Sequence, residues 1–160
     1  MTHGSLTTYL NDHLAGSVAG LELLDHIIQL RRGSALESPL IVIRSEIEED
    51  QKVLQALLHG VGGSESRVRQ AAAWLSEKLA RAKLRIDDGG SGELQLLEAL
   101  EALALGIQGK VALWRALQAA SSRLPAPQRL DFAALEQRAL SQFERVDRLR
   151  LQAASSALSS

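Results

Sequence analysis

LQLLEALEALALGIQGKVALWRAL, residues 94–117, is the stretch that decides the fold. Leu97, Leu100, Ala104, Ile107, Val111 and Trp114 recur in it at the three-four spacing of a buried helix face. The opposite side carries Ala102, Gly106, Gly109 and Leu113 at the same spacing, a strip against which a second backbone could approach closely. A helix that is apolar or small on both sides is expected at the centre of a bundle, with neighbours all round. Glu98, Glu101, Lys110 and Arg115 interrupt the stretch, and charges are costly in a bilayer, so it does not read as a membrane span.

Working outward from this segment, helix breakers divide the chain into five helices, over about 8–32, 39–59, 64–86, 92–121 and 131–157. The first carries Leu6, Leu10, Leu14, Leu21, Leu24 and Ile28 on one face and ends at Gly33, with Arg31 and Arg32 in its dipole-favoured last turn. Ser38 reads as the cap of the second, with Pro39 at the first helical position, where its missing N–H costs nothing. The seam of that helix is Leu40, Ile43, Ile47, Asp50, Leu54 and Leu57, and Gly60, Gly62 and Gly63 stop it. Ser64 opens a shorter third helix, with Arg67, Lys78, Arg81 and Arg85 available outward, and DDGGSG at 87–92 is a linker. Asp131 caps the last helix between Leu130 and Leu135, placed as a hydrophobic staple, and its face is Phe132, Leu135, Ala139, Phe143, Val146 and Ala153.

The composition agrees with an all-α chain. At 160 residues a single domain, 1–160, is the simplest organisation, and only three prolines interrupt a chain rich in Leu and Ala. There is no cysteine, which rules out disulfides, a thiolate nucleophile and Cys-ligated metal. The net charge of -1 gives no general affinity for nucleic acid or acidic membrane. No signal peptide is visible in MTHGSLTTYLNDH, so a cytoplasmic location is expected. The charge is unevenly spread, at -4 over residues 1–62, +4 over 63–86 and -1 over the rest. The basic third helix is therefore a candidate anionic-surface binder, and complementary packing is its simpler explanation.

The four long helices are each about 37 Å in length at 1.5 Å per residue. An extra helix between the second and fourth lets those two run parallel while each hairpin stays antiparallel. This connectivity resembles the ferritin-like four-helix bundles, in which one long crossover joins two hairpins. The opening YLNDHLAGSVAGLELLDHI is also similar to the start of a group of bacterial proteins of this size to which no activity is assigned. The ferritin-like resemblance implies a di-metal site with Glu on two helices and Glu-x-x-His on the other two. The chain departs from that pattern: Leu10, Leu23 and Ala56 stand three residues before His13, His26 and His59, and nothing stands so before His3.

Carboxylates near the inferred core remain. Pairing the hairpins about their loops sets Asp25 opposite Glu46 and Glu101 opposite Arg150, all at one level of the bundle, while Asp50 lies on the seam of the second helix. Asp25, Glu46, Asp50 and Glu101 could together hold iron or manganese. The simpler expectation is a buried polar network of Asp25, Glu46 and Glu101 completed by Arg150, with Arg115 facing Glu136 one layer away, no metal and no cofactor. Lys110 is expected to snorkel to water and not to form a Schiff base, His13 to sit at the core edge, and Trp74 and Trp114 to be packing residues. Gly16-x-x-x-Gly20 permits close helix contact, and no phosphate loop or nucleophile elbow is present.

These readings give a non-catalytic helical bundle acting through a protein partner or a second copy of itself, with no nucleic acid and no membrane span. The alternative is a divergent ferritin-like carboxylate metalloprotein or oxidoreductase. The periodicity alone predicts a far-ultraviolet circular dichroism spectrum with well over half of the residues helical. A clear strand component in that spectrum would overturn the architecture.

Overall fold

The computed structural model describes residues 4–65, 68, 72, 73, 77, 92–125 and 128–159. Among these the chain forms α1 (Gly4–Leu30), α2 (Glu37–Gly60), α3 (Glu93–Ala120), a short 3-10 turn (Ser121–Arg123) and α4 (Phe132–Ala157), with no strand. Of the expected third helix, 64–86, only Ser64, Glu65, Val68, Ala72, Ala73 and Glu77 are described, the last four of them helical; Trp74 and the basic residues Arg67, Lys78, Arg81 and Arg85 lie outside the described residues.

The helix ends follow local chemistry, with some differences from expectation. Asp131 caps α4, its carboxylate accepting from the Ala134 N–H at 3.0 Å, while Leu130 beside it is exposed. α2 begins before Ser38, because Glu37 and Ser34 organise the preceding turn. The Glu37 carboxylate accepts from the Gly33 N–H at 2.7 Å, and the Ser34 hydroxyl accepts from the Leu36 N–H at 3.2 Å. Pro39 therefore occupies the third helical position, still within the first turn, where the N–H that proline lacks would have no intrahelical acceptor. α1 ends at Leu30, so Arg31 is free to reach away from it. Its guanidinium donates to Glu93 at 3.0 Å and to the Gly92 carbonyl at 2.9 Å, tying the end of α1 to the start of α3. Gly92 sits at φ 73°, a left-handed turn that glycine adopts without strain.

Side-chain pairs fix the register. Asp25 meets Arg44 and Ser17 meets Gln51, so α1 and α2 are antiparallel. Lys110 meets Gln142 and Arg115 meets Glu136, so α3 and α4 are antiparallel. Glu46 meets Arg145 and Asp50 meets Arg138, so α2 and α4 are antiparallel as well. The Arg31–Glu93 pair gives the same sense to α1 and α3. It follows that α2 and α3 run parallel. α3 packs most extensively against α4, α1 against α2 next, and α1 against α3 after them.

The core is in two parts. One part contains Leu21, Leu24, Ile43, Ile47, Leu100, Ile107 and Val146. The other contains Leu10, Leu14, Leu54, Leu57, Trp114, Phe132 and Ala139, with the Trp114 and Phe132 rings stacked at 6.3 Å. Every seam residue expected on α2 is buried, and so are all six on α3. Ala102 and Gly106 of the small strip are instead exposed, and no other backbone approaches Gly106 or Gly109. The close packing expected there is absent.

Because the Asp131 carboxylate satisfies a backbone N–H that the helix itself cannot, Asp131→Ala is expected to lower stability by about 1 kcal/mol, read from the urea midpoint at unchanged slope. A change indistinguishable from zero would show that water caps α4 equally well.

Candidate functional site

Between the two apolar parts lies a polar layer, with one contribution from each of three seams. On α2, Asp50 falls between Ile47 and Leu54. On α3, Lys110 falls between Ile107 and Val111, and on α4, Gln142 falls between Ala139 and Val146. Three-four periodicity carries these polar side chains inward because they occupy apolar positions of otherwise apolar faces. Asp50 is only 2% exposed. Its Oδ2 accepts from Lys110 Nζ at 2.5 Å and from Gln142 Nε2 at 3.2 Å, and its Oδ1 accepts from Arg138 Nε at 2.8 Å. Arg138 gives Oδ1 a second hydrogen bond through its terminal nitrogen, and Lys110 donates to Gln142 Oε1. The carboxylate is thus enclosed by two cations and an amide from two other helices.

Lys110 does not snorkel as expected; its side chain is 14% exposed and turned to Asp50. Burial pushes its ammonium below the usual lysine range, and the neighbouring Asp50 only partly reverses this. Glu46, one turn along α2, is held below the usual carboxylate range by its hydrogen bond from Arg145, against the opposing effect of partial burial.

The residues singled out from sequence are distributed differently from expectation. Asp25 does not face Glu46; it pairs with Arg44 on the surface, at 2.5 Å. Arg150 does meet Glu101, at 3.6 Å, but its closer partner is Asp147 at 2.7 Å, and Glu101 is half exposed. Arg115 does meet Glu136, at 2.6 Å, with the arginine 61% exposed. These pairs lie at the surface and do not form the buried network, because the outward flanks of adjacent antiparallel helices meet there before the seam is reached. Asp25, Glu46, Asp50 and Glu101 each have a separate basic partner, and among the described residues no group of three or more metal-ligating side chains converges. Lys110, Arg138 and Gln142 were not assigned to the network from sequence. The available signal was the polar residue on an apolar seam, which Gln142 gives between Ala139 and Val146 and which Asp50 had given already.

At the level of the polar layer α1 presents only small side chains, and a cavity of about 370 Å³ opens between α1, α2 and α3. Gly16, Ser17 and Gly20 wall it on one side and Ala102, Gly106 and Gly109 on another, while Asp50, Lys110 and Trp114 line it as well. A methyl group built on Gly16, Gly20, Gly106 or Gly109 would meet nothing within 4 Å. The two small strips therefore border open space where backbone contact had been expected. His13 also lines this space, edge-on to the Tyr9 ring at 4.6 Å. Burial holds its imidazole below the ordinary value of 6.5, with Asp12 acting in the opposite direction.

Two predictions follow from these surroundings. Asp50→Ala leaves two cations without their shared carboxylate and is expected to cost about 3–5 kcal/mol, whereas Glu101→Ala at the surface is expected to cost about 0–1 kcal/mol. Equal costs in chemical denaturation would show that the polar layer is no more demanding than the surface. For His13, the folded pKa lies below 6.5, so at pH values between the two the unfolded chain holds the extra proton. Its contribution to stability is present above 6.5, falls as pH drops through that value and stops falling below the folded pKa. His13→Gln should accordingly flatten the stability profile between pH about 7 and about 5. An unchanged slope would place the acid sensitivity elsewhere.

No family model matches the chain, and no match is found among the curated proteins or the solved structures, so the chemistry of the site has to be read from its own residues.

Proposed function

We propose that this chain is a non-catalytic helical bundle of ferritin-like architecture that acts by associating with a protein partner or with a second copy of itself. The observation that carries this reading is the enclosure of Asp50. A di-metal centre needs inward carboxylates with free lone pairs, and here Lys110, Arg138 and Gln142 already donate to both oxygens of the central one. A cation in the layer also opposes a metal electrostatically. The parallel run of α2 and α3 supports ferritin-like connectivity, in which the segment between them returns the chain along the bundle.

Association is supported by where the large apolar side chains are exposed. Leu30, Ile41, Val42, Leu94, Leu151 and Leu158 are exposed at the end where α1 and α4 finish and α2 and α3 begin, whereas exposed Leu105 and Leu130 lie away from it. Among the described residues no helix is long and apolar enough to cross a membrane, which leaves a protein surface as the natural cover for that end.

The test has two readouts on one preparation. Protein made in iron- and manganese-supplemented medium is expected to carry far less than one metal per chain. Its light-scattering mass is expected to rise with concentration and to fall back to the single-chain value in Val42→Glu with Leu151→Glu, at unchanged helicity. A stoichiometric metal lost on Glu46→Ala with the fold intact would make the carboxylate metalloprotein the leading reading. A single-chain mass at every concentration would remove self-association and leave a different protein as the partner.

A further inference from the structure

Four of the exposed leucines share the outer face of the α3–α4 pair: Leu94 and Leu105 on α3, Leu151 on α4 and Leu158 at its C-terminal cap. They are between 48% and 71% exposed. On α3, Leu94 and Leu105 stand seven residues before and four after Glu101, spacings that keep all three on one helix face. Glu101 reaches Arg150, so that face lies toward α4. On α4, Leu151 and Leu158 are seven apart and fall on the face of Asp147, which shares Arg150 with Glu101. The Glu101–Arg150 pair, continued by Lys110–Gln142 and Arg115–Glu136, sets the register of the two helices. Leu94 comes at about the level of Leu158, and Leu105 comes beside the turn between Glu144 and Arg148. Leucines repeated at helical spacing on two neighbouring helices make a contiguous patch.

Charge selects what covers it. On α3, Glu98 and Glu101 are exposed, and no exposed charge follows them until Arg115. On α4, Arg148 is exposed, and Arg150 near it is partly so and held by Asp147. A second copy with α3 laid on α3 would set acid against acid. A second copy turned about a two-fold axis along the bundle lays α3 on α4 in both directions. Glu98 and Glu101 then come against the turn that holds Arg148, and Leu94 comes against Leu158. Glu144, the acid farther along α4, comes opposite the uncharged Gln108. We propose that this face is a two-fold interface with a second copy of the chain, α3 of each on α4 of the other, which rests on the association reading above and makes the chain its own partner.

In sedimentation equilibrium of the full chain, the mass is expected to level off at twice the single-chain value. Leu105→Arg, away from the bundle end, should return it to the single-chain value with helicity unchanged, since that side chain is 71% exposed. Val42→Glu, at the bundle end but on α2, should leave the dimer intact. Glu101→Arg and Arg148→Glu should each weaken self-association about tenfold or more, by setting like charges together. Their equimolar mixture should recover the wild-type association, because the altered α3 of one chain then meets the altered α4 of the other and the second contact is unaltered. A single-chain mass at every concentration would overturn the proposal, while a different protein would remain as partner in the broader reading. Dissociation by Val42→Glu and not by Leu105→Arg would overturn it as well, keeping self-association but moving it to the bundle end. A mixture no more associated than its components would overturn the pairing of α3 with α4.

Discussion

The enclosure of the Asp50 carboxylate is the constraint on which the rest of the bundle depends. A carboxylate 2% exposed is tolerated only if its lone pairs are filled, and the donors come from α3 and α4, two helices far along the chain from α2. The apolar seams alone would permit helices to slide, since Leu, Ile and Val interchange at little cost. The polar layer removes that freedom. A shift of α4 by one turn along α2 would set Gln142 and Arg138 against Ile47 or Leu54 and leave Asp50 without partners. Such buried ionic layers add little net stability, since desolvation offsets most of their attraction, and their contribution here is to single out one register.

The same layer accounts for the shape of the interior. On α2, α3 and α4 it is built from long or charged side chains, whereas α1 passes it with Gly16, Ser17 and Gly20. Ser17 is hydrogen-bonded locally to the Leu14 carbonyl at 2.7 Å and receives Gln51 at 2.9 Å, so α1 is tied to α2 but sends nothing inward to fill the space. The cavity is the result: the layer is complete in charge and incomplete in volume. It is not a sealed void, because Gly16, Ala102 and Gly106 on its walls are exposed.

Much of this was legible from residue spacing. The seams of α2 and α3 follow from three-four periodicity, because burial of Leu and Ile dominates the energetics and leaves a regular trace in sequence. Asp131 was legible as a cap for a similar reason, since its role is local. Asp50 could be placed on a seam, but its partners could not be named. Which cation reaches it depends on the relative height of helices separated by 60 and 88 residues, and no local pattern encodes that height. Loop-centred pairing assigned Asp25 to Glu46, where Arg44, with its longer reach, takes the carboxylate. The glycine strips were misread because small residues serve two opposite ends. They allow backbones to touch, or they leave room, and only the position of the neighbouring helix decides between them.

The register also has a kinetic side. Within each hairpin the contacts are close in sequence: Asp25 and Arg44 are separated by 19 residues, Arg115 and Glu136 by 21. The polar contacts that join the hairpins span 60 to 99 residues, Asp50 with Lys110 and Arg138, and Glu46 with Arg145. Loop-closure entropy must be met before such distant contacts return any free energy. The parallel run of α2 and α3 therefore separates two kinds of event during folding. Each helix pair can assemble early from neighbouring sequence, and the entropic barrier is concentrated in a single later docking of one preformed pair onto the other, guided by opposite charges that attract over a longer range than the apolar seams they bring together.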